Sequence, residues 1–367
     1  MKQAIKDLLK KYLEIVNSEK NQNNKKYWTQ IYSWNRDMWR GIPTKVENAA
    51  PVPYTIAPDN SFWAQILNVD LRDYYDDPET ALETQLRMKL YHFNNFEDST
   101  YFTNELFIWF GAITELSFFN APITFFSHKE GWVADSVIKD TGDIDKLEEL
   151  NFFSSGLMPK IHTYYEIFQE YAGDNFSVMF PEWVRGPFCI ASHLRGMQNI
   201  LMDLMLQPDF VHRLMRFIVD QSKHWNEQRN KFLGTEIKTC KLYNDEISIP
   251  SISPEQYNEL ILPYEVELAE HYGEVAYWHS CGNTTELIDS ICTIPNLRMY
   301  HAGPWTSYQK AAEKLKDKNI ALDICLDPER DILHAEKESM RNKLKDIKNH
   351  CTGMPYFIRA DGLMPDG

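Results

Sequence analysis

The stretch Val275-Ala-Tyr-Trp-His-Ser-Cys-Gly-Asn283 holds the residues best suited to chemistry. A short apolar run ends in His279, Ser280 and Cys281, and Gly282 follows. On an extended strand, residues i and i+2 point to the same side, so His279 and Cys281 project together. An imidazole and a thiolate are borderline-soft donors that suit zinc and leave positions for another ligand or a substrate. Gly282 is expected to let the backbone turn away directly after the pair. Asp245 and Glu246 close the apolar run Glu236–Tyr243. Each offers a further metal ligand or a general acid and base, against the plainer reading of a carboxylate in a solvated turn. His193 and His301 lie near predicted strand ends and read as hydrogen-bonded structural histidines. Cys189, Cys240, Cys292 and Cys351 read as packing. Trp109, Trp183, Trp278 and Trp305 read mainly as core, with the capacity to wall an apolar pocket.

The elements that would position these groups alternate along the chain. Strands are predicted at 52–57, 105–111, 176–180, 236–243, 274–279, 297–302, 319–325 and 354–360, separated by helical stretches. Asp77-Pro-Glu79 and Ser253-Pro-Glu255 are helix starts, with a capping side chain and proline at the first position. Residues 112–150 read as a long irregular loop with short helices. The alternation predicts an α/β fold, a (β/α)8 TIM barrel over residues 51–367, with an N-terminal helical extension over residues 1–50. In such a barrel the site lies at the C-terminal ends of the strands. The sequence stops seven residues past the last predicted strand, so N-terminal helices or a homodimer partner are expected to cover that face.

Composition removes several functions. The 367 residues carry a net charge of −15, which opposes nucleic-acid binding because phosphates need Lys and Arg. No apolar run approaches the roughly 18 residues of a membrane span. The N-terminus is amphipathic and has no continuous apolar core of a signal peptide, so a cytoplasmic protein is expected. Its six cysteines form no tight framework and read as reduced thiols.

Several stretches in order carry a family resemblance. They are Gly186-Pro-Phe-Cys-Ile-Ala-Ser-His-Leu-Arg-Gly196, Asp203-Leu-Met-Leu-Gln-Pro-Asp-Phe-Val-His212, Tyr243-Asn-Asp-Glu246, Ile252-Ser-Pro-Glu-Gln-Tyr257, Leu262-Pro-Tyr264 and Trp278-His-Ser-Cys-Gly-Asn283. Together they resemble the uroporphyrinogen decarboxylase superfamily, especially its zinc-dependent, corrinoid-linked methyltransferase branch, over roughly residues 50–363. The resemblance implies a barrel, zinc on His279 and Cys281, and a third ligand at the end of the last strand. Asp361 stands where that branch has a second Cys, and Cys325, at the end of the preceding strand, is the alternative. It also implies a corrinoid carried by a separate protein, since no Asp-x-His-x-x-Gly signature is present, and a small-molecule methyl donor or acceptor. Decarboxylases of the family carry an arginine-rich segment after the first strand. Here that place reads Pro58-Asp-Asn-Ser-Phe-Trp63, so a porphyrinogen with many carboxylates is not expected as substrate. The rival expectations are a metal-free lyase or decarboxylase acting on another substrate through Asp361 or Glu246, and a non-catalytic ligand-binding barrel.

Overall fold

The structure, a computed structural model, describes residues 1–28, 52–318 and 320–364. Its strands are β1 (Tyr54–Pro58), β2 (Glu105–Phe107), β3 (Ile123–Thr124), β4 (Trp132–Val133), β5 (Ser177–Met179), β6 (Cys240–Tyr243), β7 (Val275–His279), β8 (Met299–Ala302), β9 (Ala321–Leu326) and β10 (Tyr356–Leu363). Six of them form a parallel sheet in the order β1-β10-β9-β8-β7-β6. β2 pairs in parallel with β5, and β3 and β4 form a small antiparallel pair. The strands of the two parallel sheets coincide with the eight positions predicted from the sequence.

The expected closed barrel is corrected by the ladders. Among the described residues, β5 approaches β6 only through the isolated Arg185–Tyr243 bridge just beyond it, and no ladder joins β1 to β2. The result is a curled parallel α/β sheet with a two-stranded sheet beside it. Local chemistry explains where pairing stops. Pro181 follows β5 closely and has no N–H to donate. β2 ends at Phe107, and the apolar run after it turns at Gly111, whose φ of +87° suits glycine.

β7, β8 and β9 are buried at every position, as expected of parallel strands covered on both faces. Their alternation divides the core. Trp28, Tyr101, Tyr277, Met299, Ala321 and Phe357 form one apolar cluster with Tyr243 packed on it. A much larger cluster includes Trp278, Tyr300, Leu322 and Ile358, their neighbours in sequence or register. Trp28 is fully buried, its ring 5.6 Å from that of Phe357 and its Nε1 donating to the Ser99 carbonyl at 2.6 Å.

The helix Gln3–Val16 packs on the helix Pro78–Asn95 and contributes Ile5, Leu9 and Tyr12 to the larger core. Tyr12 Oη donates to the Thr103 carbonyl at 2.7 Å, just before β2. The N-terminal segment is thereby joined to the region of β2. The part of the predicted N-terminal helical extension that carries Ile31, Tyr32 and Trp39 lies outside the described residues. Both predicted helix starts are present: Asp77 accepts from the Thr80 N–H at 2.8 Å, and Ser253 from that of Gln256 at 3.2 Å. Asp59 caps the helix Asn60–Leu67, which occupies the segment after β1. Among the described residues, no helix is long and apolar enough to cross a membrane.

Candidate metal centre

Asp245, His279 and Cys281 converge beyond the C-terminal ends of β6 and β7. Parallel pairing sets Tyr243 beside His279, and the Asn244 N–H donates to the His279 carbonyl at 2.7 Å. Asp245 therefore follows directly beside the histidine. His279 Nε2 lies 3.1 Å from Asp245 Oδ1 and 3.4 Å from Cys281 Sγ, and one ligand atom from each residue falls within 4.8 Å of the others. The Cys281 N–H also donates to Asp245 Oδ1 at 3.3 Å. The chain bends at Cys281 and Gly282, as predicted, and the glycine has a second role. A Cβ there would lie 2.5 Å from Ser248 Cβ and 2.9 Å from the Ile247 carbonyl, so its absence lets the segment after β7 close against the one after β6.

Hydrogen bonds around the histidine fix its form. Tyr277 Oη donates to Asp323 Oδ2 at 2.5 Å and accepts from Arg359 Nη2 at 3.1 Å. With its proton committed to Asp323, Tyr277 can only accept from His279 Nδ1, 3.2 Å away. When neutral, His279 therefore carries its proton on Nδ1 and turns the Nε2 lone pair toward Asp245 and Cys281; when protonated, its Nε2–H donates to Asp245 Oδ1, 3.1 Å away. His301 stacks on His279 with ring centroids 4.1 Å apart. It donates from Nδ1 to the Ser280 carbonyl at 2.9 Å, and burial together with the neighbouring His279 holds its pKa well below the usual histidine value.

These donors fit a zinc ion. Zinc bonds of about 2.0–2.3 Å in tetrahedral array put adjacent ligand atoms roughly 3.4–3.6 Å apart, close to the separations here. Burial tends to raise the Asp245 pKa, but His279, Arg185 and Cys281 bring it well below the ordinary carboxylate value. Desolvation of its sulfur and the Asp245 charge push the Cys281 thiol up, although the residue as a whole is exposed. A carboxylate, a lone pair and a thiol that resists ionisation beside them are the groups a divalent cation would satisfy, releasing the thiol proton.

Glu246 belongs to an adjoining group with Cys189 and His193. His193 Nε2 lies 2.7 Å from Glu246 Oε1, and Arg185 Nη1 lies 2.6 Å from Cys189 Sγ and 3.6 Å from Glu246 Oε1. The guanidinium supplies the positive charge that a metal would otherwise bring. His193 and Cys189 sit on the helix Pro187–Arg195, where the sequence had placed a strand end and packing. Glu246 Oε2 is buried without a hydrogen-bond partner.

Asp361 and Cys325 lie outside both groups. Asp361 Oδ2 pairs with Arg359 Nη1 at 2.9 Å. Cys325 is buried at the end of β9, donates to the Leu326 carbonyl at 3.5 Å, and has its pKa raised to about 12, chiefly by burial. The supporting groups Arg185, Glu265, Asp323 and Arg359 were not singled out from the sequence. For Asp323 and Arg359 a signal exists: each is a charged residue in a run predicted to be a buried strand. Glu265 is fully buried behind the site. It accepts from Asn244 Nδ2 at 2.8 Å, Tyr257 Oη at 2.5 Å and Trp278 Nε1 at 3.1 Å. Asn244 and Trp278 immediately precede Asp245 and His279, so one carboxylate ties both elements together.

The chain belongs to the uroporphyrinogen decarboxylase (URO-D) family, whose profile matches residues 60–362. Among solved structures, a methyltransferase from Methanosarcina mazei superposes with a TM-score of 0.62. The alignment has 13% identity and covers 87% of this chain and 91% of that one, a likeness of fold. Comparison with curated protein sequences finds no match.

Proposed function

We propose that this protein is a zinc-dependent methyltransferase moving a methyl group between a corrinoid, carried by a separate protein, and a small-molecule substrate. The observation that carries the reading is the convergence of Asp245, His279 and Cys281, with the His279 Nε2 lone pair facing the other two. The name of the structural neighbour, a methyltransferase, supports the same class of reaction. His279, Cys281 and Asp245 would hold the metal, which when bound supplies a Lewis acid that lowers the pKa of a coordinated thiol or hydroxyl.

The remaining roles fall to the chain's own groups. Tyr277 holds the histidine through Nδ1 and is itself held by Asp323 and Arg359. Glu246, beside Asp245, is the carboxylate assigned to take or give the proton of a substrate, with His193 and Arg185 steadying its Oε1. Asp361 belongs to the support of Arg359 in this assignment.

The test is transfer from methylcobalamin to a panel of small thiols and alcohols, followed by the cobalamin spectrum with the zinc-loaded protein. Demethylation is expected, and Glu246→Gln should slow it by roughly 10²-fold or more, the usual range for a lost general acid or base. Absence of transfer to or from any member of the panel, in both directions, would reject the methyltransferase assignment.

A further inference from the structure

The interior of the curled sheet is unevenly filled. On one side, Tyr277, Asp323 and Arg359 form the ion-paired network behind His279. Toward β2, β5 and β6 there is instead a cavity of about 530 Å³. Side chains ordinarily fill the interior of an eight-stranded α/β barrel, whereas a space of this size lies in the range of about 300–1,000 Å³ typical of small-molecule sites.

Its lining indicates what would fit. Tyr101, Phe107, Trp109, Phe180 and Tyr243 give it aromatic walls. The charged groups that border it are engaged with the protein. Lys241 Nζ pairs with Glu182 Oε2 at 3.1 Å. Glu115 Oε1 accepts the Val184 and Arg185 N–H groups at 2.6 and 3.1 Å. Lys89 Nζ donates to the Glu105 carbonyl at 2.8 Å and lies over the Tyr12 and Phe107 rings. An ionic ligand would give up its hydration for walls whose charges already have partners, whereas a neutral apolar one would not.

The cavity also adjoins the candidate metal centre. Tyr243 lines it, and the same ring lies 4.8 Å from the His279 ring, centroid to centroid. A ligand in contact with Tyr243 would thus be one aromatic ring away from His279. We infer that this cavity binds a neutral, largely apolar molecule of one or two rings, held next to the metal centre across Tyr243. The site stands on the cavity alone. Its identification as the seat of the methyl-transfer substrate's non-reacting body rests on the proposed function.

Calorimetric titration and saturation-transfer NMR with indole and 4-methoxyphenol test the inference, with benzoate and phenyltrimethylammonium as charged probes of similar size. The neutral probes should bind at least roughly tenfold more tightly than the charged ones. Met179→Trp, which adds bulk at the wall, should weaken them at least roughly tenfold while circular dichroism and melting stay near wild type; Val184→Phe provides a second filling variant should the first not fold. Cys281→Ala should retain probe binding, so loss of metal and loss of the cavity site are read separately. Equal binding of neutral and charged probes, or unchanged affinity in both folded filling variants, would overturn the inference.

Discussion

Glu265 provides a quantitative test of how the site is held. Burial pushes its carboxyl pKa from 4.5 to about 7, although hydrogen bonds from Tyr257, Trp278 and Asn244 favour the ionised form. A shift of this size corresponds to roughly 3 kcal/mol, at about 1.4 kcal/mol per unit. The sign follows from proton counting. Between pH 4.5 and 7 the folded state holds more protons at this group than the unfolded state, so stability falls as pH rises through that window and levels off above it. Glu265→Gln removes the ionisation and keeps an oxygen to accept from Tyr257 and Trp278. Measured by chemical denaturation, the stability of Glu265→Gln relative to wild type should therefore increase by roughly 2–3 kcal/mol between pH 5 and pH 8. In thermal melts this is a relative gain of about 3 °C. Glu265→Leu should instead be destabilised throughout, because three buried donors lose their acceptor at about 1–3 kcal/mol each. Parallel pH profiles for wild type and Glu265→Gln would refute the reasoning, since they would mean that Glu265 ionises alike in both states.

Two further substitutions probe the histidine's support and the N-terminal segment. Tyr277→Phe removes the acceptor at His279 Nδ1 and should lower zinc affinity by roughly 10–100-fold, measured by competition with a chelating dye, with little change in secondary structure; unchanged affinity would show that Tyr277 does not hold the histidine. Trp28→Ala empties a fully buried position and should cost about 3–5 kcal/mol in denaturant titration, whereas a loss below about 1 kcal/mol would show that Trp28 contributes little to the core.

The strand pattern was legible because each parallel strand is a short apolar run bounded by breakers, and register between parallel neighbours follows from the side-chain period. His279 and Cys281 were legible for the same reason, being two residues apart where such a run ends. Sheet closure was not. Whether β2 meets β1 depends on where pairing stops, and the apolar run 105–111 gives no sign that the strand ends at Phe107. Asp245 and Glu246 were visible as a pair, but their division was not. That division depends on Arg185, distant in sequence, whose guanidinium lies by Cys189 and Glu246. The pairing of Asp361 with Arg359 was hidden in another way. The two are separated by one position on β10, and the arginine's other partners, Tyr277 and Asp323, come from β7 and β9. The helix containing His193 was missed because the apolar run Phe188–Ala191 is as compatible with a strand as with a helix.

Metal content of freshly purified protein, prepared without chelator, bears most directly on the proposed metal centre. Wild type should carry about one zinc per chain, the complement of a single centre. Cys281→Ala and Asp245→Ala should lose it while remaining folded, and Asp361→Ala and Cys325→Ser should keep it. Wild-type protein without any transition metal would contradict the zinc centre. Loss of zinc in Asp361→Ala or Cys325→Ser, with retention in Asp245→Ala, would move the third ligand to the end of β10 or β9.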